Sequence, residues 1–290
     1  MRATSSGGSD KDCGQPRSCY INVQGHEIHY MEWGRAGAPG LVMWHGLARS
    51  GRDFDTIASA LANQFHIICP DTTGRGYSEW SKNPDEDYCL EVYALLAREV
   101  ANAVGFEQMS WLGTSMGGSL GIRVAASVLK GRIDRLVIND IGPTFPPAPY
   151  DRIKAYVGTP PEFATIAELE AYFRTIYTPF GYHTDAQWRH MAETSMRRLP
   201  SGGITTHYDP AIVQQFFVHP TDYEQWEYWD EIEAPTLVLR GVDSDLLLPE
   251  IAQEMTQRGP KASIVEIEGC GHAPALNVEN QIKIVREFLV

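Results

Sequence analysis

Residues 113–117 read Gly113-Thr114-Ser115-Met116-Gly117, directly after an apolar run, Met109 to Leu112, and directly before a helical pattern carrying Gly117, Gly118 and Gly121. A serine between glycines at a strand-to-helix junction is the sequence form of a nucleophile elbow, a turn so tight that flanking side chains would collide with neighbouring strands. The same turn sets Ser115 at a helix N-terminus, where free amides favour an incipient anion. A serine hydroxyl needs a base to take its proton, and the base needs a carboxylate to hold its tautomer. His272, in Gly269-Cys270-Gly271-His272-Ala273-Pro274 between the last strand and the last helix, is the expected base. For the acid, Asp245 in the loop Gly241 to Pro249 is favoured over Asp243, because it stands four residues before the Pro249 helix start. Asp140, after the preceding strand, is a further candidate. Backbone amides must also meet the charge that develops on the substrate oxygen, at about 3 to 4 kcal/mol per donor. Leu47, in His45-Gly46-Leu47, and Met116 are the expected donors of this oxyanion hole, with His45 and Gly46 shaping the loop.

Those residues require strand ends to carry them. Cys19 to Val23 and Glu27 to Trp33 read as an opening hairpin around Gln24-Gly25-His26. Leu41 to Trp44, Phe65 to Cys69, Met109 to Leu112, Leu136 to Ile138, Thr236 to Leu239 and Ser263 to Ile267 follow as compact apolar runs, the pattern of strands covered on both faces. Tyr88 to Val104, Met116 to Leu129 and Asn277 to Leu289 carry helical periodicity. The alternation predicts a doubly wound α/β fold with a mostly parallel eight-stranded sheet.

The rhythm breaks at Gly142. Pro143, Pro146, Pro147 and Pro149 mark a boundary, and strands resume only at Thr236. Residues 143–229 are expected to form an inserted helical cap, with core at 19–142 and 230–290. The insertion holds 17 of the 30 aromatic residues, most expected in its own core and a minority in a pocket wall. The residues expected to contact substrate are His45, Gly46, Arg49, Trp80, Phe145, Tyr150 and Phe217. Arg49 and Arg52 could read a substrate carboxylate, although salt bridging is the commoner fate of such arginines.

Composition narrows the function classes. With 24 Lys and Arg against 37 Asp and Glu, the net charge is −13, which repels nucleic acid and anionic lipid. No apolar run approaches a membrane span. Met1 to Ser18 is Ser, Gly and Asp rich without an apolar core and reads as a disordered leader. Five cysteines without metal-like spacing suggest reduced thiols and a cytoplasmic setting. No metal or organic cofactor is called for, and the protein is expected to be a monomer or homodimer.

With Ser115, Asp245 and His272 in that chain order, residues 19–290 resemble the α/β-hydrolase family. Pro70-Asp71-Thr72-Thr73-Gly74-Arg75-Gly76-Tyr77-Ser78 is similar to that family's turn after the fourth strand, packed beside the oxyanion loop. The resemblance places the acid after the preceding strand, at Asp140, in some relatives. A serine at the elbow departs from the aspartate of haloalkane dehalogenases and epoxide hydrolases. Ser-Met-Gly-Gly and His-Ala-Pro look like small esterases, enol-lactonases and meta-cleavage product hydrolases. Leu47-Ala48-Arg49 and Ala273-Pro274 depart from the carbon–carbon hydrolases of that last group, which implies ester or lactone substrates. The expectation is therefore a serine hydrolase of small to medium carboxylic esters, with enol-lactone or carbon–carbon bond hydrolysis as alternatives. A barely catalytic ligand receptor on the same scaffold is the rival of another class.

Overall fold

A computed structural model of the chain describes residues 15–290. Of the leader expected over 1–18, residues 1–14 lie outside the described residues, and Arg17 and Ser18 already belong to the first strand. The chain opens with the hairpin β1 (Arg17–Val23) and β2 (His26–Trp33). Its turn is one residue shorter than expected, because Val23 pairs with His26 and only Gln24 and Gly25 lie between. Both have positive φ, 53° and 84°, the backbone that matches the twist of a two-residue hairpin.

Six parallel strands complete the sheet: β3 (Gly40–Trp44), β4 (His66–Pro70), β5 (Met109–Thr114), β6 (Ile133–Asn139), β7 (Thr236–Gly241) and β8 (Ser263–Ile267). Their order is β1-β2-β4-β3-β5-β6-β7-β8, with β2 antiparallel to β4 and the pairs beyond it parallel. The chain runs from β3 outward to β4, then crosses back to β5 on the other side of β3. Crevices at the carboxyl ends of strands where the order reverses in this way are where α/β sheets place ligands. Here those ends lead into His45 and Ser115.

Alternating strand residues feed two cores. Val42, Trp44 and Trp111 face α2 (Leu90–Ala103) and α3 (Met116–Ala126), and the two indoles stack at 5.3 Å. Leu41, Met43, Leu112 and Leu239 face α1 (Asp55–Leu61) and the C-terminal helix Glu279–Leu289. Each such side chain contributes about 1.5–3 kcal/mol of burial. Coverage on both faces explains why Leu41 to Trp44 and Ile67 to Cys69 read as unbroken apolar runs.

Between β6 and β7 the insertion contains α4 (Pro147–Val157), α5 (Ile166–Ile176) and α6 (Asp185–Thr194). Local chemistry starts two of these helices. Thr165 caps α5, and Thr184 with Gln187 forms a reciprocal capping box on α6. The region is not purely helical, however. Glu162–Phe163, Met196–Arg198 and Ile204–Thr206 form a three-stranded antiparallel sheet. Strands of two or three residues are too short to show periodicity in sequence. Leu169, Phe173, Trp188, Ala192 and Ile204 make a separate small core.

Candidate active site

The elbow takes the geometry its glycines imply. Ser115 has φ 54° and ψ −118°, a region that costs a non-glycine residue about 1–3 kcal/mol. A Cβ on Gly113 would lie 2.0 Å from the Gly117 carbonyl oxygen, and one on Gly117 would lie 2.0 Å from that of Trp44. Neither site has room for a side chain. Asn139 accepts the Ser115 N–H at 2.9 Å, while its side-chain amide donates to Thr114 Oγ1 at 3.0 Å and the Pro274 carbonyl at 2.8 Å. One residue at the end of β6 thus ties the elbow to the loop bearing His272.

His272 Nε2 lies 2.8 Å from Ser115 Oγ, and its Nδ1 lies 2.8 Å from Asp140 Oδ2. Asp140 is fully buried and accepts from the Gly241 N–H at 2.8 Å and the Ser244 hydroxyl at 2.6 Å. With those donors on the carboxylate, Nδ1 carries the imidazole proton and Nε2 is free to accept from Ser115.

Asp245, the acid expected from spacing, does not reach His272. Its carboxylate is half-exposed and pairs with Arg152 of α4 at 2.7 Å. The physical reason lies in the turn after β7. Ser244 faces inward, where it donates to Asp140, and its neighbour Asp245 faces the cavity. Asp243 is exposed and also lines the cavity, with its N–H held by the Cys270 carbonyl at 2.9 Å. Because β6 and β7 are adjacent, with Asn139 opposite Leu239, Asp140 emerges beneath the histidine loop.

The loop expected to form the oxyanion hole abuts the serine. A Cβ on Gly46 would lie 3.6 Å from Ser115 Cβ. Met116 is the first residue of α3, whose opening N–H groups have no partner within the helix. Arg75 braces both expected donors. Fully buried between the rings of Tyr88 and Tyr93, it donates to the Leu47 carbonyl at 2.9 Å and to Met116 Sδ at 3.5 Å. Sequence reading treated Gly74-Arg75-Gly76 as a turn and missed this role; a lone arginine between two glycines, in a turn expected beside the oxyanion loop, was the available signal.

His45 is held as a neutral ring. Its Nδ1–H donates to the Gly46 carbonyl at 2.7 Å, and Nε2 accepts the Thr72 N–H at 2.9 Å. Burial lowers its pKa to about 4, against about 6.5 in an unfolded chain. Unfolding therefore takes up a proton between those values, and the His45 contribution, about 3 kcal/mol, is complete above pH 6.5 and lost as pH falls toward 4. Burial lowers His183 and His207 too, which adds in the same direction. The urea midpoint is expected to drop across that window, with a shallower drop in His45→Gln.

A cavity of about 620 Å³ lies over the site, walled by core loops on one side and the insertion on the other. Ser115, His272, His45, Gly46, Leu47 and Arg49 line it. Arg49 is salt-bridged to Asp53 through two hydrogen bonds, at 2.9 and 2.5 Å, beneath the rings of Phe173 and Tyr177. Arg52 is held by Asp55 at 2.7 Å. Four expected contacts lie elsewhere. Trp80 sits under Arg197 at 4.3 Å, Phe145 and Tyr150 pack with Phe216 and Tyr223, and Phe217 is exposed beneath Lys154. Tyr156, Tyr172, Tyr177 and Phe180 supply the aromatic wall instead. Aromatic density reports core as readily as pocket, so counting could not separate them. Among the described residues, no cluster of three or more His, Cys, Asp or Glu could hold a metal, and no helix is long and apolar enough to cross a membrane.

The model of the alpha/beta hydrolase family matches residues 41–283, most of the chain. The chain belongs to the alpha/beta hydrolase family. This hydrolase is 39% identical over 277 residues to the 3-hydroxybutyrate-oligomer hydrolase of Cupriavidus necator, covering 91% of this chain and 92% of that one. It is 26% identical to the N-formylmaleamate deformylase of Pseudomonas putida, over 87% and 88% of the two chains. Among solved structures, an alpha/beta hydrolase from Novosphingobium aromaticivorans superposes with a TM-score of 0.84 at 30% identity, covering 94% of this hydrolase and 98% of that chain.

Proposed function

We propose that this hydrolase cleaves carboxylic esters through an acyl-enzyme on Ser115, and that its substrates are short oligomeric esters of a hydroxy acid. The reading rests above all on the unbroken hydrogen-bond chain Ser115–His272–Asp140 opening onto the cavity. Ser115 Oγ attacks the ester carbonyl as His272 Nε2 takes its proton, and Asp140 stabilises the imidazolium. The amides of Leu47 and Met116 receive the oxyanion. His272 then gives its proton to the departing alkoxide, and a water activated by the same base releases the acid. A cavity of this size encloses a small ligand rather than a polymer. The substrate class is supported by the 39% identity to a hydrolase of 3-hydroxybutyrate oligomers.

The purified protein assayed against the dimer and trimer of 3-hydroxybutyrate, p-nitrophenyl butyrate, an enol-lactone and a vinylogous diketo acid tests this. Preferred turnover of the oligomers, with p-nitrophenyl butyrate also cleaved, is expected. Preference of several orders for either of the last two substrates overturns the reading.

A further inference from the structure

The cavity wall holds three arginines, and they are not equivalent. Arg49 is buried and Arg52 is largely buried, each held by a neighbouring aspartate, and Asp55 is shared further with His190. Arg152 stands apart. It projects from α4 of the insertion, is 56% exposed, and pairs with Asp245, itself 50% exposed. A pair this open to water contributes little and exchanges partners readily, whereas a guanidinium meets any incoming carboxylate with a planar, two-pronged donor set.

Its position relative to the chemistry is also defined. Asp245 follows Ser244, whose hydroxyl donates to Asp140 Oδ2, the oxygen that also faces His272. The same loop is stitched to the histidine loop through the Val242 N–H to Ile267 and the Asp243 N–H to Cys270. Arg152 therefore stands on the His272 side of the cavity. In ester cleavage that is the leaving-group side, since His272 protonates the departing alkoxide. When an oligomer of a hydroxy acid loses its terminal unit, the departing alcohol is the unit that carries the free carboxylate.

We infer that Arg152 is a specificity determinant that binds the carboxylate of the leaving hydroxy acid, with Asp245 occupying that place until substrate displaces it. This rests on the ester-hydrolase reading above. It assigns the enzyme to cleavage from the carboxyl end, with release of monomer units. No new bond chemistry is involved, because the carboxylate exchanges one partner for another while Ser115 and His272 act as described.

The test compares the 3-hydroxybutyrate dimer with its carboxyl-methylated form. In the wild type, kcat/KM is expected to favour the free acid by about tenfold or more, the loss typical when a charged hydrogen bond is left unmade. In Arg152→Gln that ratio falls to about one, chiefly through KM, and Arg152→Lys restores part of it. Asp245→Asn, which removes the competing carboxylate, raises the ratio above wild type. A wild type indifferent to methylation, or a ratio unmoved in Arg152→Gln, overturns the inference. Ser115→Ala separates the two claims. Turnover of both dimers surviving in that variant removes the acyl-enzyme on Ser115 and with it the mechanism proposed above, whereas a dead variant with an unmoved Arg152→Gln ratio removes only the role of Arg152.

Discussion

Replacing Ser115 with alanine is expected to lower kcat on p-nitrophenyl butyrate by about a millionfold, the scale seen when a serine nucleophile acting as one unit with its base is removed. The substitution deletes one oxygen and keeps the Cβ. The elbow is held by the Ser115 N–H to Asn139 and by glycines at 113 and 117, none of which uses the hydroxyl. Folding and cavity are therefore preserved, and near-native circular dichroism should accompany the loss. The residual rate is expected to come from the Leu47 and Met116 amides, whose residues Arg75 still contacts. An alanine variant with turnover within tenfold of wild type would show that another group makes the covalent bond. Intact-mass measurement of the wild type during turnover gives a second readout: the acyl adduct should map to the peptide containing Ser115.

Asp140→Asn is expected to lower kcat by about 10⁴-fold, while Asp245→Asn changes it by less than about threefold. Asp140 presents only acceptors to its partners: the His272 Nδ1–H, the Gly241 N–H and the Ser244 hydroxyl. An asparagine must place an NH₂ among these donors. Oriented toward His272, it demands an acceptor at Nδ1, which moves the ring proton to Nε2 and blocks acceptance from Ser115. Asp245 makes no hydrogen bond to the histidine, and its carboxylate is spent on an exposed ion pair with Arg152. Parallel kcat measurements on the two variants decide between the carboxylates. Equal losses in both would place the second acid in the reaction, and a larger loss in Asp245→Asn would reverse the assignment.

How much of the site was legible follows from how local each requirement is. Ser115 could be read because a strand, a turn without room for side chains and a helix N-terminus are contiguous in the chain, and glycine at 113 and 117 is a steric necessity there. His272 could be read because glycines 269 and 271 frame it between the last strand and the last helix. The loop His45-Gly46-Leu47 was visible for the same reason. The fold class followed from apolar runs buried on both faces, as β3 and β4 are along their whole length.

The choice of acid was a different kind of question. Asp140, Asp243 and Asp245 all follow strand ends, and spacing to Pro249 favoured Asp245, whereas the carboxylate hydrogen-bonded to His272 is that of Asp140. Lateral adjacency of β6 to β7 and the direction of one turn residue decided the matter, and neither is written in the distance along the chain. The same holds for the pocket wall. Phe145, Tyr150, Tyr156 and Tyr177 share one aromatic-rich insertion, yet the first pair packs inward and the second lines the cavity.

The sequence by itself picked out Ser115, His272, the loop His45-Gly46-Leu47 and the class of sheet that presents them, because each depends on constraints among neighbouring residues. Only the tertiary structure decided which carboxylate completes the hydrogen-bond chain, that Arg75 braces the Leu47 carbonyl beside Ser115, and that Arg152 pairs with Asp245 at the cavity wall. Those are contacts between segments far apart in the chain, and their partners are selected by packing geometry rather than by residue type.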